Sequence, residues 1–271
     1  MAPYDDRMAN VWATVYRAAS DRRSGASEIG SAGAEAIAEM EPDDARKAAL
    51  LLVDGHPTMA PLWRLASEVL TGPSPGDAAA RFMQLLGSDG PAADALSGAL
   101  TPWVLTISYS SSVVRALRGR SRLAMVTCME SRPGGEGTRM AETVSAFANA
   151  RVLPDAEALA QVPGGVVVAG CDALTPAAVV NKVKTRALAE AARERGVPCY
   201  AVAGWSKFVP DTVPVDDAFE PTPLELFTAI ATPDGLLVPE DAARRARSAA
   251  LHADLEPVLA RLLGERRRAA P

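Results

Sequence analysis

The stretch WVLTISYSSSVVRALRGRSRLAMVTC, Trp103 to Cys128, decides the fold. It opens on a short apolar run, crosses a serine-rich loop into a helix-length segment, and closes on a second apolar run. Strands that are apolar on both sides belong to a parallel sheet covered on both faces, and the segment between them has crossover length. The rhythm continues downstream as GTRMAETVSAFANA, GGVVVAGC (Gly164 to Cys171), VVNKVKTRALAEAARERG (Val179 to Gly196) and PCYAVAG. The Val179 to Gly196 stretch reads as a helix, with Asn181-Lys182 at its start. Upstream the texture differs. SAGAEAIAEM and PDDARKAALLLVD space their apolar residues helically, with breakers at Thr71–Asp77 and Gly87–Pro91. The expectation is an α/β protein: a helical N-terminal domain over 1–100, a doubly wound parallel-sheet domain over 101–240, and a C-terminal helical extension over 241–271.

Composition narrows the chemistry. The 271 residues carry 28 Lys and Arg against 33 Asp and Glu, a formal net charge of -5. That balance offers nothing to neutralise a phosphate backbone, so no nucleic-acid partner is expected. The two His, His56 and His252, exclude a multi-histidine metal site. The three Cys (Cys128, Cys171, Cys199) form no C-x-x-C pair, and read as reduced thiols in a cytoplasmic protein. The start MAPYDDRMANVW has acids where a secretory leader needs a basic region. The longest apolar run falls far short of the ~20 residues that span a bilayer, so no membrane partner is expected. The Arg-rich end GERRRAAP reads as a solvated helix terminus.

Ligands of open parallel sheets bind beyond the carboxyl ends of the strands. Three loops there stand out. Ser108-Tyr109-Ser110-Ser111-Ser112 sets hydroxyls at a helix start, where they either cap backbone N–H groups or hold an anion. Glu130 to Gly137 combines glycines with Arg132, a bidentate donor, and with Glu130 and Glu136, which suit sugar hydroxyls or the positioning of Arg132. Gly170-Cys171-Asp172 places an acid at a strand end near Asn181 and Lys182, either as an acid/base group or as a helix cap; Lys207 follows the next strand to the same edge. Cys171, beside Asp172 on a strand, points to the opposite face and reads as a packing residue. No G-x-G-x-x-G or Walker sequence is present, and no cofactor is implied.

These loops, in this order, resemble the family of ribose-1,5-bisphosphate isomerase, 5-methylthioribose-1-phosphate isomerase and the regulatory α, β and δ subunits of translation initiation factor 2B. SGASEIGSAGAEAI (Ser24 to Ile37), HPTMAPL (from His56), VLTISYSS, ESRPGGEGTRMA (from Glu130), GCDAL, VVNKVKTRALAEAARERGVPCY, SKF and FEPTPLEL carry the resemblance. It implies a Rossmann-like domain behind helices, assembled as a homodimer or higher homo-oligomer, and a phosphorylated sugar as ligand. It implies aldose–ketose isomerisation of a sugar 1-phosphate, with Asp172 as one catalytic group. It places Arg23, Ser24 and Gly25 in a phosphate loop, and His56, Ser110, Arg132, Glu136, Asn181, Lys182 and Lys207 in substrate binding. The family's other catalytic group is a Cys; Ser108 stands there, as in the regulatory subunits, so a non-catalytic ligand-sensing subunit is the competing expectation. No metal ligand is implied.

Overall fold

A computed structural model describes residues 6–162 and 164–269. Met1–Asp5, part of the acidic start, and Ala270–Pro271, the last of GERRRAAP, lie outside the described residues. Five helices come first: α1 (Asp6–Ser20), α2 (Ala26–Ile37), α3 (Pro42–Gly55), α4 (Ala60–Thr71) and α5 (Pro75–Gly87). They bury Val15, Ile29, Ile37, Leu52, Leu62, Trp63, Leu65 and Phe82 in one core. Their small alanines let the axes approach closely. The break at Thr71–Asp77 is a cap: Ser74 Oγ accepts the Asp77 N–H at 3.1 Å and Pro75 opens α5.

After α6 (Asp89–Ala99) the chain alternates β1 (Trp103–Ile107), α7 (Ser111–Gly119), β2 (Met125–Met129), α8 (Glu136–Ser145), β3 (Ala150–Leu153), α9 (Asp155–Ala160) and β4 (Val166–Ala169). Then come β5 (Ala173–Leu174), β6 (Ala178–Lys182), α10 (Thr185–Glu194), β7 (Cys199–Val202), β8 (Phe219–Pro223), β9 (Ala229–Thr232) and β10 (Gly235–Leu237). The main sheet runs β10-β9-β7-β4-β1-β2-β3, parallel except for the β9–β10 pair. Alternate residues face opposite layers, as strand geometry requires. Leu105, Ile107, Val167 and Ala169 meet α10 and α11 (Pro239–Arg247). Val104, Val126, Val166 and Val168 meet α6 and α7. Although α6 belongs to the helical N-terminal stretch, it therefore packs on the sheet. The C-terminal segment divides too: α11 covers the sheet, whereas α12 (Glu256–Ala269) returns to the helical bundle through Leu262, with Leu255 just before it.

One reading is corrected. Asn181 and Lys182 do not start a helix but end β6, the middle strand of a small antiparallel sheet β5-β6-β8. Val179 and Val180 are buried on both sides of that strand, and Lys184, in left-handed backbone at φ 79°, turns the chain before α10 begins at Thr185. β1 is flanked by β4 on one side and β2 on the other, so strand order reverses there. Such a switch point opens a crevice between the loops that leave the two strands.

Candidate functional site

The loops leaving β1 and β4 face the helical bundle across a cleft of about 420 Å³. Eight residues named from sequence line it: Arg23, Ser24, Gly25, His56, Ser108, Glu136, Asp172 and Lys182. Asp172 is fixed through its backbone. Its N–H donates to Val180 O and its carbonyl accepts from Ala60 N, both at 2.9 Å, so β6 and the start of α4 hold it from two sides. Burial pushes its carboxyl pKa up; the charges of Lys207 and Lys182 oppose that shift, and Asp216 and Glu136 add to it. Lys182, itself buried, donates Nζ to Glu136 Oε1 at 2.6 Å. Glu136 sits in the first turn of α8, and its other oxygen, Oε2, is buried without a partner. A buried acceptor left open beside a cleft is suited to a ligand hydroxyl. Gly134 makes room for this carboxylate: its φ is +103°, and an added Cβ would stand 2.4 Å from Glu136 Oε1.

The phosphate loop expected at Arg23-Ser24-Gly25 is an Asx turn. Asp21 Oδ1 accepts the N–H groups of Arg23 (2.7 Å) and Ser24 (3.0 Å), and Gly25 then caps α2. The turn's two N–H bonds hold the Asp21 carboxyl below its ordinary range, the Arg23 bond contributing most. Arg139 of α8 ties this loop to the sheet domain, donating to Arg23 O at 2.8 Å while lying 3.7 Å over the Tyr109 ring. His56 ends α3. Its Nε2 donates to Ala18 O at 2.7 Å and its Nδ1 accepts from Arg22 at 3.3 Å, which the neutral imidazole satisfies.

Burial lowers the His56 pKa from the usual imidazole value of about 6.5. Below that pH the unfolded chain takes the proton more readily than the fold does. The His56 contribution is therefore complete above about pH 6.5 and declines as pH falls beneath it. We expect the melting temperatures of the protein and of His56→Gln to converge between pH 7.5 and 5.5. A constant gap would remove His56 from the titration.

Four sequence-named residues do not line the cleft. Ser110 caps α7, its Oγ accepting the Val113 N–H at 3.3 Å, which realises the capping alternative. The Arg132 side chain is exposed and pairs with Glu130 at 2.7 Å. Asn181 is buried and donates to Thr185 Oγ1 at 3.1 Å. Lys207 is buried behind Asp172 and acts on it through charge. Cys171 packs in the sheet's core, and burial pushes its thiol pKa up.

The structure adds residues that sequence reading missed. Asp155 accepts the N–H groups of Ser131 (2.7 Å) and Arg132 (3.0 Å) and pairs with Lys184. Ser131 Oγ in turn accepts the Ser108 N–H at 2.7 Å. Ser108, Ser131 and Lys184 all adopt positive φ, so this network holds three strained backbone positions around one edge of the cleft. Asp216, Phe219 and, from α12, Arg266 are also among the lining residues. Asp155 had one sequence signal, an acid directly after a proline at the start of a short helix.

A model of the Initiation factor 2 subunit family matches residues 101–234. Those residues, the sheet region of the chain, are similar to this family. A methylthioribose-1-phosphate isomerase from Populus trichocarpa is 30% identical over 152 residues, which is 53% of this chain and 40% of that protein. The chain thus spans less than half the length of that curated relative. The translation initiation factor eIF-2B structure from Pyrococcus horikoshii OT3 superposes with a TM-score of 0.75 at 23% identity, covering 86% of this chain and 98% of that one. The 5-methylthioribose 1-phosphate isomerase of the same organism gives 0.67 at 20% identity over 89% and 88%. A tetrameric eIF2B-beta2-delta2 complex from C. thermophilum gives 0.68 at 16% over 90% and 95%. At these identities the likeness is one of fold: helices first, then a mostly parallel sheet with helices on both faces. The stretch that matches this family supplies the β1, β2 and β4 loops of the cleft, and the bundle supplies the opposite wall. No helix among the described residues is long and apolar enough to cross a membrane.

Proposed function

We propose that the cleft binds a phosphorylated sugar and that the protein is an aldose–ketose isomerase of a sugar 1-phosphate, ribose-1,5-bisphosphate isomerase-like in its chemistry. The observation that carries this reading is Asp172: a carboxyl lining the cleft together with Lys182 and Glu136, whose Oε2 is open, and with its pKa raised by burial against the charges of Lys207 and Lys182. In the proposed reaction the protonated Asp172 gives its proton to the ring oxygen as the bond from that oxygen to carbon one breaks. A hydride passes from carbon two to carbon one, and the proton of the carbon-two hydroxyl returns to the Asp172 carboxylate. Carbon one is reduced and carbon two oxidised, so no external oxidant is needed. Lys182 and Glu136 hold sugar oxygens, and the Asp21-braced loop with Arg23, Ser24 and Gly25 takes a phosphate. Ser108 orients an oxygen rather than moving a proton, because an alcohol is a far weaker acid than a thiol.

Incubation with ribose 1,5-bisphosphate or 5-methylthioribose 1-phosphate, followed by NMR, is expected to show a ketose 1-phosphate. The second reading, a ligand-sensing or regulatory subunit, rests on Ser108 itself. It predicts tight sugar-phosphate binding without turnover, and turnover gained in Ser108→Cys. Association into a homodimer or larger homo-oligomer belongs to both readings.

A further inference from the structure

The Arg-rich end of the chain folds back to the cleft. Arg261 of α12 pairs with Asp54 at 2.5 Å and with Glu265 at 3.2 Å, and Leu262 buries itself in the helical bundle. Asp54 itself lines the cleft, so the ion pair fastens α12 along its rim. Five residues beyond Arg261, Arg266 joins the lining of the same cleft as Arg23. Among the described residues neither the Arg23 nor the Arg266 side chain has an ion-pair or hydrogen-bond partner. Among the described residues none of the cleft's acids pairs with either: Asp21 accepts from the Asx turn, Asp54 pairs with Arg261, Glu136 with Lys182 through Oε1 alone, and Asp216 accepts the Ala218 N–H.

Two guanidinium groups from distant parts of the chain line one cleft without a partner among the described residues, so their donors are open to an anionic ligand. We infer that Arg266 is a ligand-binding residue which, with Arg23, clamps a phosphate group of the ligand, and that α12 is a wall of the site. The planar, multiply donating guanidinium is suited to this, and Lys would serve only as a point charge.

The inference rests on the cleft being a phosphate-ligand site, and its test is kept apart from turnover. Inorganic phosphate is titrated calorimetrically at low ionic strength into the full chain and its variants. Arg266→Gln and Arg23→Gln are each expected to weaken phosphate binding about tenfold, the loss of one charge-assisted contact. Arg266→Lys, which keeps helix and charge, is expected to fall between Arg266→Gln and the wild type. Arg268→Gln, an exposed change on the same helix, is expected to bind as the wild type does. Equal phosphate affinity in Arg266→Gln and wild type overturns the clamp, as do equal losses in Arg268→Gln or no phosphate binding in the wild type. Absence of sugar-phosphate isomerisation, with the Arg266 effect intact, overturns the isomerase reading alone.

Discussion

Asp172→Asn is expected to lower sugar-phosphate turnover by about 10²–10⁴-fold, the usual worth of a positioned acid–base group, while leaving ligand binding within a few fold. The substitution keeps shape and removes the exchangeable proton. Asp172 is held by backbone bonds to Val180 and Ala60 that Asn preserves, so the loop stays in place. Burial raises its pKa, with Lys207 and Lys182 opposing, so the protonated form persists to higher pH than in an ordinary carboxyl. The same shift fixes a stability sign. A folded-state pKa above the unfolded value means the charged form burdens the fold at high pH, and the burden lifts as pH falls through the folded value. Asp172→Asn therefore melts no lower than the wild type at pH 8, and any advantage shrinks towards pH 4. Loss of turnover without loss of melting temperature is what a functional rather than structural carboxyl gives. Wild-type turnover in Asp172→Asn would take Asp172 out of the chemistry.

The parallel strands were legible because each is a short apolar run closed by a polar loop. β6 was not. Its Val179-Val180 pair followed by lysines fits a helix equally well by periodicity, and only pairing with β5 and β8, together with the left-handed Lys184, makes it a strand. β3 escaped notice for another reason: Arg151 and Val152 are exposed on an edge strand, so no apolar run marks it. Site residues on the β1 and β4 loops were readable because open sheets bind ligands there. Asp155 and Lys184 act through partners far along the chain, and Arg266 reaches the cleft only through the return of α12, at separations that no local pattern encodes. Arg132 was read as a ligand donor from its Gly-rich loop and the family resemblance; in the structure its guanidinium pairs with its neighbour Glu130.

Arg64→Met is expected to destabilise the protein by about 3 kcal/mol, read as a fall of roughly 6–12 °C in melting temperature. Arg64, on α4, sends its guanidinium to three backbone carbonyls. Nε and Nη2 donate to Phe208 O at 2.8 and 2.7 Å, Nη2 to Ala249 O at 2.8 Å, and Nη1 to Ala250 O at 2.6 Å. Burial lowers its pKa to about 10, so the group remains charged at neutral pH. Ala249 and Ala250 follow the end of α11, so the cation sits just past the negative end of that helix. One side chain thus joins the helical bundle to the sheet's covering helix and to the segment behind the cleft. Met keeps the apolar stem and removes every donor, leaving the three carbonyls short of partners. Arg64→Lys restores the charge but not the fork, and is expected to recover less than half of the loss. Because Phe208 directly follows Lys207, whose charge acts on Asp172, Arg64→Met is also expected to weaken sugar-phosphate binding in the surviving folded protein. A melting temperature within 2 °C of wild type would show that water replaces the guanidinium at all three carbonyls, and that the contact between bundle and sheet is held by apolar packing instead.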